Sequence, residues 1–420
     1  PLVSWSYSDN PYEACYEAWK LAVENSGNTS LRYRKDFPEV FKYLGWCSWE
    51  QYKNNIDSKL LVNAVEEINT SSLPVRFVLI DDGHQVSSAP HGSLGSFKPD
   101  PSKFPEGWGP LLSLRNPEKV RWFGLWHATC GMWKGMLREN DFSKMNRYLR
   151  DINGLYLPDG TSEGADAFYE GLIGSVANYG FDFVKIDTQS RNLKFYYGTE
   201  LGVQAAVNNH LALEEKVRKY NLPMLNCMAL GPLPVFNSQD TAVTRCSMDY
   251  FLGKLDMGKF HIWQSYHNSL WLGQTVWCDH DMFHSSDPTC ARLMSVSKAV
   301  SGGPVYLSDA PEDFDSEMVM PLCYEDGELI RSGAPAVPLP DSLIFDPMKE
   351  EKVYRVISPA GNGSAAIVVY NLNKQQDTVL QGYVSPDDYR YTNCLMQPYP
   401  GNTVIPESGI VLFDWYEKKG

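Results

Sequence analysis

The chain has 420 residues, of which 43% are hydrophobic, and a formal net charge of −14. A chain of this length is expected to form one large and one smaller domain around an ample core. Its negative charge argues against nucleic acid or an anionic membrane surface as the main partner, because both would repel the protein. No segment has the roughly 20 apolar residues of a membrane span, and no signal region opens the chain. We therefore expect a soluble protein, which is cytoplasmic or, if a signal was removed, periplasmic or secreted.

Residues 1–41 are predicted to form a helical and extended N-terminal cap. Tyr12, Tyr16, Trp19 and Val23 recur at helical spacing within residues 11–25. This helix is expected to cover the body of the protein that follows.

Residues 42–320 alternate between strand-like and helix-like segments. Strands are predicted at 43–49, 77–81, 122–127, 181–187, 223–228, 241–246, 275–278 and 304–307, and helices at 57–70, 165–179 and 203–220. This alternation is typical of a parallel (β/α)8 TIM barrel, an α/β fold.

Residues 321–420 have a different pattern. Short apolar runs at 353–357, 365–370 and 409–413 are separated by turns rich in Pro, Gly, Asn and Asp, with no helical pattern between them. This pattern predicts a C-terminal antiparallel β-sandwich domain.

The segment 181–187 is the first candidate for chemistry, because a short buried strand there ends in Lys185 and Asp187. In a barrel, the C-terminal ends of the strands carry the reactive groups, so Asp187 is a candidate nucleophile or base. The alternative is an aspartate that caps the next helix. The strand at 77–81 has the same form and ends in two adjacent acids, Asp81 and Asp82.

The strand ends together predict a pocket that contains acids, cations and aromatic rings. The candidates are Trp46, Trp49, Asp81, Asp82, Trp126, His127, Lys185, Asp187, Asn226, Cys227, Arg245, Asp249, Asp279 and Asp281. Cleavage of a glycosidic bond needs two carboxyl groups, and Asp187 and Asp249 fit these roles. Lys185 is expected to keep Asp187 ionised.

Aromatic and cysteine content agree with a sugar pocket that holds no metal. The 12 Trp and 24 Tyr often lie beside Gly, Asp and His, and aromatic faces next to carboxylates suit sugar rings. The nine cysteines show neither a CxxC pair nor metal-ligand spacing. We expect free thiols, no metal and no cofactor.

A set of motifs in fixed order carries a family resemblance. The motifs are Gly45-Trp46-Cys47-Ser48-Trp49, Ile80-Asp81-Asp82-Gly83-His84-Gln85, Trp126-His127-Ala128 with Gly131-Met132-Trp133, Val184-Lys185-Ile186-Asp187-Thr188-Gln189, Asn226-Cys227-Met228, Arg245-Cys246-Ser247-Met248-Asp249-Tyr250, Asp281-Met282-Phe283-His284-Ser285 and Ala299-Val300-Ser301-Gly302-Gly303-Pro304-Val305-Tyr306. Together they resemble the raffinose synthase and seed imbibition protein branch of glycoside hydrolase family 36. Members of that family are retaining α-galactosidases and α-galactosyl transferases, built on a (β/α)8 barrel with a C-terminal β domain.

The resemblance implies a role for each matching residue. Asp187 is the implied nucleophile, and Asp249 is the acid in the region implied to hold the general acid/base. Asp81 and Asp82 are implied to bind sugar hydroxyls. The complete predicted substrate-binding set is Trp46, Trp49, Asp81, Asp82, His84, Trp126, Lys185, Cys227, Arg245, Asp279 and His280.

The sequence also departs from the family pattern. Met248 stands where a first of two consecutive acids is common, so Asp279 and Asp281 are alternatives to Asp249 as acid/base. His84 and His280 stand where Trp is usual, which predicts a substrate that is more polar or anionic than plain galactose. Many relatives carry a large N-terminal β domain that is missing here, which fits a shorter family type or a trimmed chain.

The predicted function is that of a retaining glycoside hydrolase that acts on α-linked galactosides or a galactose-like, more polar sugar. The alternatives are an α-galactosyl transferase, a sugar-binding pseudo-enzyme, and a lyase or isomerase in which the clustered acids bind Mg²⁺. The expected partner is an oligosaccharide or glycoside, with no nucleic acid, and the oligomeric state stays open.

Overall fold

The computed structural model of the protein describes residues 3–142, 145–375 and 378–418. The strands are β1 (Gly45–Cys47), β2 (Phe77–Ile80), β3 (Gln85–Ser87), β4 (Leu94–Pro99), β5 (Trp122–Ala128), β6 (Leu149–Ile152), β7 (Leu155–Pro158), β8 (Phe183–Asp187), β9 (Met224–Asn226), β10 (Val243–Arg245), β11 (Trp277–Asp279), β12 (Tyr306–Leu307), β13 (Val337–Pro338), β14 (Tyr354–Gly361) and β15 (Ser364–Tyr370). The α-helices are α1 (Pro11–Ser26), α2 (Trp49–Tyr52), α3 (Ser58–Thr70), α4 (Gly109–Leu112), α5 (Ser162–Tyr179), α6 (Asn192–Phe195), α7 (Gly202–Lys219), α8 (Pro232–Val235), α9 (Leu255–Leu272), α10 (Ala291–Ser301) and α11 (Ser316–Val319). Short 3₁₀ helices lie at Arg32–Arg34, Glu39–Lys42, Asn146–Tyr148, Gln189–Arg191, Pro311–Asp313, Met320–Leu322, Pro340–Leu343 and Pro386–Tyr391.

Eight strands form one curled parallel sheet in the order β12-β1-β2-β5-β8-β9-β10-β11. The two ends of this sheet meet, since Phe283 forms a parallel bridge with Leu307 and the Tyr306 hydroxyl on β12 donates to Asp279 on β11 at 2.7 Å. Each predicted barrel strand is present, although most are shorter than the sequence pattern. The predicted (β/α)8 barrel is therefore confirmed.

Side chains alternate between the inside of the barrel and the layer beneath the helices. The inner cluster consists of Val40, Phe41, Cys47, Phe77, Leu79, Phe183, Leu225, Cys227, Val243, Met282 and Tyr306. Phe41 comes from the 3₁₀ turn before β1, and its ring contacts Phe77 and Phe183 edge-on at 5.9 and 5.3 Å. This segment closes the end of the barrel where the strands begin.

The outer layer contains the residues between the inward-facing ones. It includes Val78, Ile80, Leu125, Val184 and Ile186 of the strands, together with Leu61, Val65, Ile68, Ile173, Val176, Leu213 and Val217 of helices α3, α5 and α7. Strands buried on both faces explain why the sequence shows continuous apolar runs here instead of alternation.

The N-terminal helix α1 packs against both the barrel and the C-terminal region. Asn10 caps it by accepting hydrogen bonds from the backbone of Tyr12 and Glu13. The Tyr12 hydroxyl donates to the Pro338 carbonyl, and the Trp19 ring stacks on Phe236 at 5.2 Å. The helix thus joins the barrel to the C-terminal region.

The C-terminal region contains the antiparallel sheet β13-β14-β15. Tyr354 and Tyr370 of this sheet pack against Tyr266 on α9, so the sheet is attached to the barrel wall. The strand predicted at residues 409–413 is wrong, because this segment pairs with no other strand of the described chain, and Val411 is 89% exposed. Without a buried face, no register is fixed and no second sheet layer forms among the described residues. None of the helices in the described ranges is long and apolar enough to cross a membrane.

Two glycines make room for the inner phenylalanines. A Cβ atom on Gly124 would lie 2.2 Å from the Phe183 ring, and one on Gly45 would lie 2.1 Å from the Phe77 ring. We expect Gly124→Ala to lower the free energy of unfolding by about 3 kcal/mol through overpacking, measured by urea denaturation. Gly109→Ala, where a Cβ meets open space, is the matched control.

The double variant Gly124→Ala with Phe183→Leu tests the cause. The smaller leucine side chain at position 183 should recover part of the lost free energy of unfolding. The two substitutions should therefore show a coupling energy of about 1 kcal/mol or more. Strict additivity would contradict a direct clash between these two positions.

Candidate active site

The inward-facing residues continue beyond the hydrophobic layer into a polar layer at the C-terminal ends of the strands. Because alternate residues share a face, the position two residues after each inner core residue also faces inward. The polar layer so defined contains Cys47, Asp81, Trp126, Lys185, Asp187, Cys227, Arg245, Asp279 and Asp281. The structure thus brings together most of the residues predicted from the strand ends.

Lys185 and Asp81 form the central ion pair of this layer. The Lys185 ammonium donates to Asp81 Oδ2 at 2.8 Å, and both side chains are almost completely buried. Burial alone would lower the pKa of Lys185, but the adjacent Asp81 outweighs it and holds this pKa well above its usual value. The sequence predicted that Lys185 pairs with Asp187, and this detail is wrong.

Asp187 is held by two N–H donors instead. The Trp126 indole donates to Oδ2 at 3.2 Å and the Thr188 backbone amide donates to Oδ1 at 2.6 Å. Thr188 adopts a left-handed backbone with φ +62°, which turns its amide back toward the carboxylate. Asp187 is 9% exposed, so the carboxyl group is held in place with little contact with solvent.

Asp82 is a buried acid whose nearest basic group among the described residues is His91, with Nδ1 4.0 Å from Oδ2. Neither carboxylate oxygen has a hydrogen-bond partner among the described residues, although the side chain is 2% exposed. Burial, and then the neighbouring Asp81 carboxylate, raise the pKa of Asp82 to about 6. Unsatisfied buried acceptors cost free energy, which ligand hydroxyls would recover by donating to them.

Arg245 on β10 connects the two predicted catalytic acids. Its Nη1 lies 2.6 Å from Asp249 Oδ1, and the charges of both Asp249 and Asp187 act on the guanidinium. The Asp249 side chain is 42% exposed, in contrast to the buried Asp187. One acid is therefore buried, and the other is partly exposed to solvent.

Asp279 is the last residue of β11 and Asp281 follows the strand, on the same inward face. Burial, and then Asp281, raise the pKa of Asp279 to about 6, and the Tyr306 hydroxyl donates to it. Burial would also raise the pKa of Asp281, but Arg245 and Lys185 outweigh it and hold this pKa below its ordinary value. Asp281 accepts from the Tyr250 backbone amide at 2.8 Å.

Three residues predicted to bind substrate lie behind the strands. Trp46 is fully buried in the outer layer, where its indole donates to the Asp309 carbonyl. His84 Nε2 donates to the Trp126 carbonyl at 2.9 Å, and its ring packs against Trp108. His280 packs against Tyr266 and contacts Ser297 on α10. These side chains belong to the wall, so the histidines give no reason to expect a more polar or anionic sugar.

The remaining predicted residues are distributed between pocket and wall. Cys227 faces inward, and burial raises the pKa of its thiol well above the ordinary value. Trp49 is half-buried at the rim and packs against the inner cluster, with the Lys53 ammonium 5.1 Å from its ring. His127 lies in the outer layer, where its ring contacts His84 at 5.4 Å.

Sequence reasoning missed Tyr306 and Ser48. The Ser48 hydroxyl accepts a hydrogen bond from the Asp81 backbone amide at 2.9 Å, and the Tyr306 hydroxyl donates one to Asp279. Both residues lie in the motifs that carry the family resemblance. Tyr306 could have been identified from the alternation of side chains along its strand, which places it on the inward face. Among the described residues, no group of three or more His, Cys, Asp or Glu side chains is arranged to hold a metal ion.

The family described as raffinose synthase or seed imbibition protein Sip1 matches residues 2–93 and 144–375 of the sequence. The chain belongs to this family. One relative is the probable galactinol–sucrose galactosyltransferase 1 of Arabidopsis thaliana, 25% identical over 93% of this chain and 60% of its own length. Another is the stachyose synthase of Pisum sativum, 20% identical over 98% of this chain and 62% of its own length. The chain therefore spans less than two thirds of these relatives.

Solved α-galactosidases share the fold. α-Galactosidase I of Mortierella vinacea is 16% identical with a TM-score of 0.52, covering 79% of this chain and 81% of its own. TtGalA, the α-galactosidase of Thermus thermophilus solved in complex with stachyose, is 19% identical with a TM-score of 0.56, covering 76% and 69%. At these identities the likeness concerns the fold alone.

The raised pKa of Asp82 predicts a pH-dependent change in stability. A folded pKa of about 6 against an unfolded value of about 4 means that the wild type loses stability as pH rises through this window. Asp82→Asn removes that loss. We expect its stability relative to wild type to increase by about 2 kcal/mol between pH 4 and pH 7.5, measured by urea denaturation.

The control for this prediction is Asp313→Asn, which changes an exposed acid. Its stability relative to wild type should stay constant across the same pH range. A constant difference for Asp82→Asn as well would contradict the raised pKa.

Proposed function

We propose that this protein cleaves α-galactosides with retention of anomeric configuration, through a covalent intermediate on Asp187. The observation that best supports this proposal is the pair of acids whose charges both act on Arg245. Asp187 is buried and oriented by the Trp126 and Thr188 N–H groups, and Asp249 is partly exposed and forms an ion pair with Arg245. Membership of the family, whose relatives include named galactosyltransferases, fits this reaction.

The chemistry assigns one step to each carboxylate in turn. Asp187 attacks the anomeric carbon while Asp249 protonates the leaving oxygen, so that the bond between the anomeric carbon and that oxygen breaks. Asp249 then takes a proton from the incoming hydroxyl, which attacks the anomeric carbon and releases Asp187. The nucleophile must be fixed in orientation, and its two N–H donors hold the Asp187 carboxyl group in place.

The polar layer offers partners for a sugar ring. The free oxygens of Asp82 accept hydroxyl protons, while Lys185 retains N–H groups beyond the one given to Asp81. The pocket is rich in acceptors, which suits a neutral sugar. We propose galactose as the ring bound here, in line with the family.

A second candidate is transfer of galactose to a sugar acceptor instead of water. The names of the relatives, galactinol–sucrose galactosyltransferase and stachyose synthase, favour this candidate. The two reactions share Asp187 and Asp249, and they differ only in the hydroxyl that enters in the second step.

Asp187→Asn provides the test of the nucleophile. We expect it to reduce kcat on p-nitrophenyl α-galactoside by about 10³-fold or more and to change the Kd of galactose by less than about threefold, because the amide keeps the shape. Asp166→Asn, on the outer helix α5, should retain wild-type kcat.

Product analysis separates the remaining alternatives. ¹H NMR should show the α-anomer as the first galactose released, and the β-anomer would contradict retention. Formation of a galactosyl sucrose when sucrose is added would favour the transferase. Wild-type protein that binds galactose but turns over no α-galactoside would be a sugar-binding pseudo-enzyme and would overturn the proposal.

A further inference from the structure

Arg245 lies within reach of two carboxylates at once. Its Nη1 is 2.6 Å from Asp249 Oδ1 and 3.6 Å from Asp281 Oδ1. The guanidinium is buried, and its Nε has no hydrogen-bond partner among the described residues. Its donors are thus incompletely used in the arrangement observed.

The close contact with Asp249 conflicts with the first half of the proposed reaction. A carboxylate paired with a buried guanidinium is favoured in its charged form. A general acid must carry a proton when the leaving oxygen departs. The observed pairing therefore suits Asp249 as the base of the second step and opposes its action as the acid of the first.

Asp281 is built to receive the guanidinium. It is fully buried and has a left-handed backbone at φ +66°, a conformation that costs a non-glycine residue about 1 kcal/mol. This backbone lets Oδ2 accept from the Tyr250 amide, while Oδ1 faces Arg245 and the Tyr306 hydroxyl at 3.5 Å. Asp281 thus contacts both the residue after Asp249 and the cation that holds Asp249.

We propose that Asp281 is a positioning residue that takes Arg245 from Asp249 when the sugar enters, which leaves Asp249 free to hold the proton that it delivers. This inference rests on the proposed function. The shift is about one ångström at Nη1, within the reach of a side-chain rotation. When the second step begins, Arg245 returns to Asp249 and stabilises the carboxylate that accepts the proton.

The other charged and titratable groups around this trio stay the same in the variants below. They are Asp187 and Lys185 on β8, Cys47 on β1, Cys227 after β9, Asp279 on β11, Tyr306 on β12, His261 on α9 and Lys298 on α10. Because the Asp281 charge also raises the pKa of Asp279, a change in the pH dependence is assigned to Asp249 by the labelled Asp249 carboxyl signal described below.

Asp281→Asn tests the proposal through the pH profile of kcat/KM. The alkaline limb reports loss of the proton from the general acid. Without a second anionic site, Arg245 stays on Asp249 and the proton is lost at lower pH. With raffinose as substrate, we expect the alkaline limb to move by about one pH unit toward lower pH. At pH values above the limb, kcat/KM should therefore fall about tenfold. With p-nitrophenyl α-galactoside the loss should be less than about threefold, because its leaving group departs without a proton.

Two further variants distinguish positioning from general damage. Asp281→Glu should restore the limb toward its wild-type position. Asp287→Asn is the matched control, because Asp287 also holds the Tyr250 loop, through the Tyr250 hydroxyl and the Gly253 amide, but does not contact Arg245. It should lower kcat/KM for both substrates equally and leave the limb in place. Equal losses on both substrates with an unmoved limb in Asp281→Asn would overturn the proposal.

A measurement without turnover keeps this inference separate from the proposed function. In protein with ¹³C-labelled aspartate, the Asp249 carboxyl signal is assigned by its loss in Asp249→Asn. Its titration midpoint should lie at lower pH in Asp281→Asn than in wild type, and equal midpoints would contradict the shared guanidinium. Wild-type protein that is inactive on both galactosides would contradict the proposed function, while this comparison would still decide whether Asp281 shares Arg245.

Discussion

The buried ion pair of Lys185 and Asp81 is the interaction on which the pocket depends. It joins β8 to β2 across the intervening β5, and Asp81 is also held from β1 by Cys47 and Ser48. Removing either partner would leave an uncompensated buried charge at a cost of about 3 to 5 kcal/mol. The pair therefore fixes three strand ends at one level and places the neighbouring Asp187 at a defined height above the barrel core.

Acids outnumber cations in this layer, and the excess charge determines what the pocket accepts. Lys185 and Arg245 neutralise part of this negative charge. The raised pKa values of Asp82 and Asp279 show that ionising the remaining acids costs free energy. An anionic ligand would increase this repulsion, whereas hydroxyl groups would relieve it by donating hydrogen bonds. The electrostatics thus favour a neutral, hydroxyl-rich ligand over the acidic sugar that the two histidines first indicated.

The barrel and its polar layer were predictable from the sequence because both follow from local patterns. A short apolar run that ends in an acid indicates a strand end, and Lys185 and Asp187 were found in this way. The sequence did not predict that the Trp46 side chain points away from the barrel interior. β1 is only three residues long, and the fit of Gly45 against the Phe77 ring decides which of its residues face inward. The pairing of Lys185 with Asp81 was also hidden, since it depends on how strands 104 residues apart in sequence meet. The segment 409–413 had a strand pattern, but strands need a partner and this one has none in the described chain.

The different surroundings of Asp187 and Asp249 match the different demands of a two-step glycosyl transfer. A nucleophile works from one charged, oriented state, and Asp187 is nine-tenths buried and held by two N–H donors. An acid/base residue must pass through both protonation states in each cycle and exchange protons with solvent or acceptor. Asp249 has the exposure for that exchange, but it needs a cation whose hold on it can change. An arginine placed between a partly exposed carboxylate and a buried one meets this need without any movement of the barrel strands.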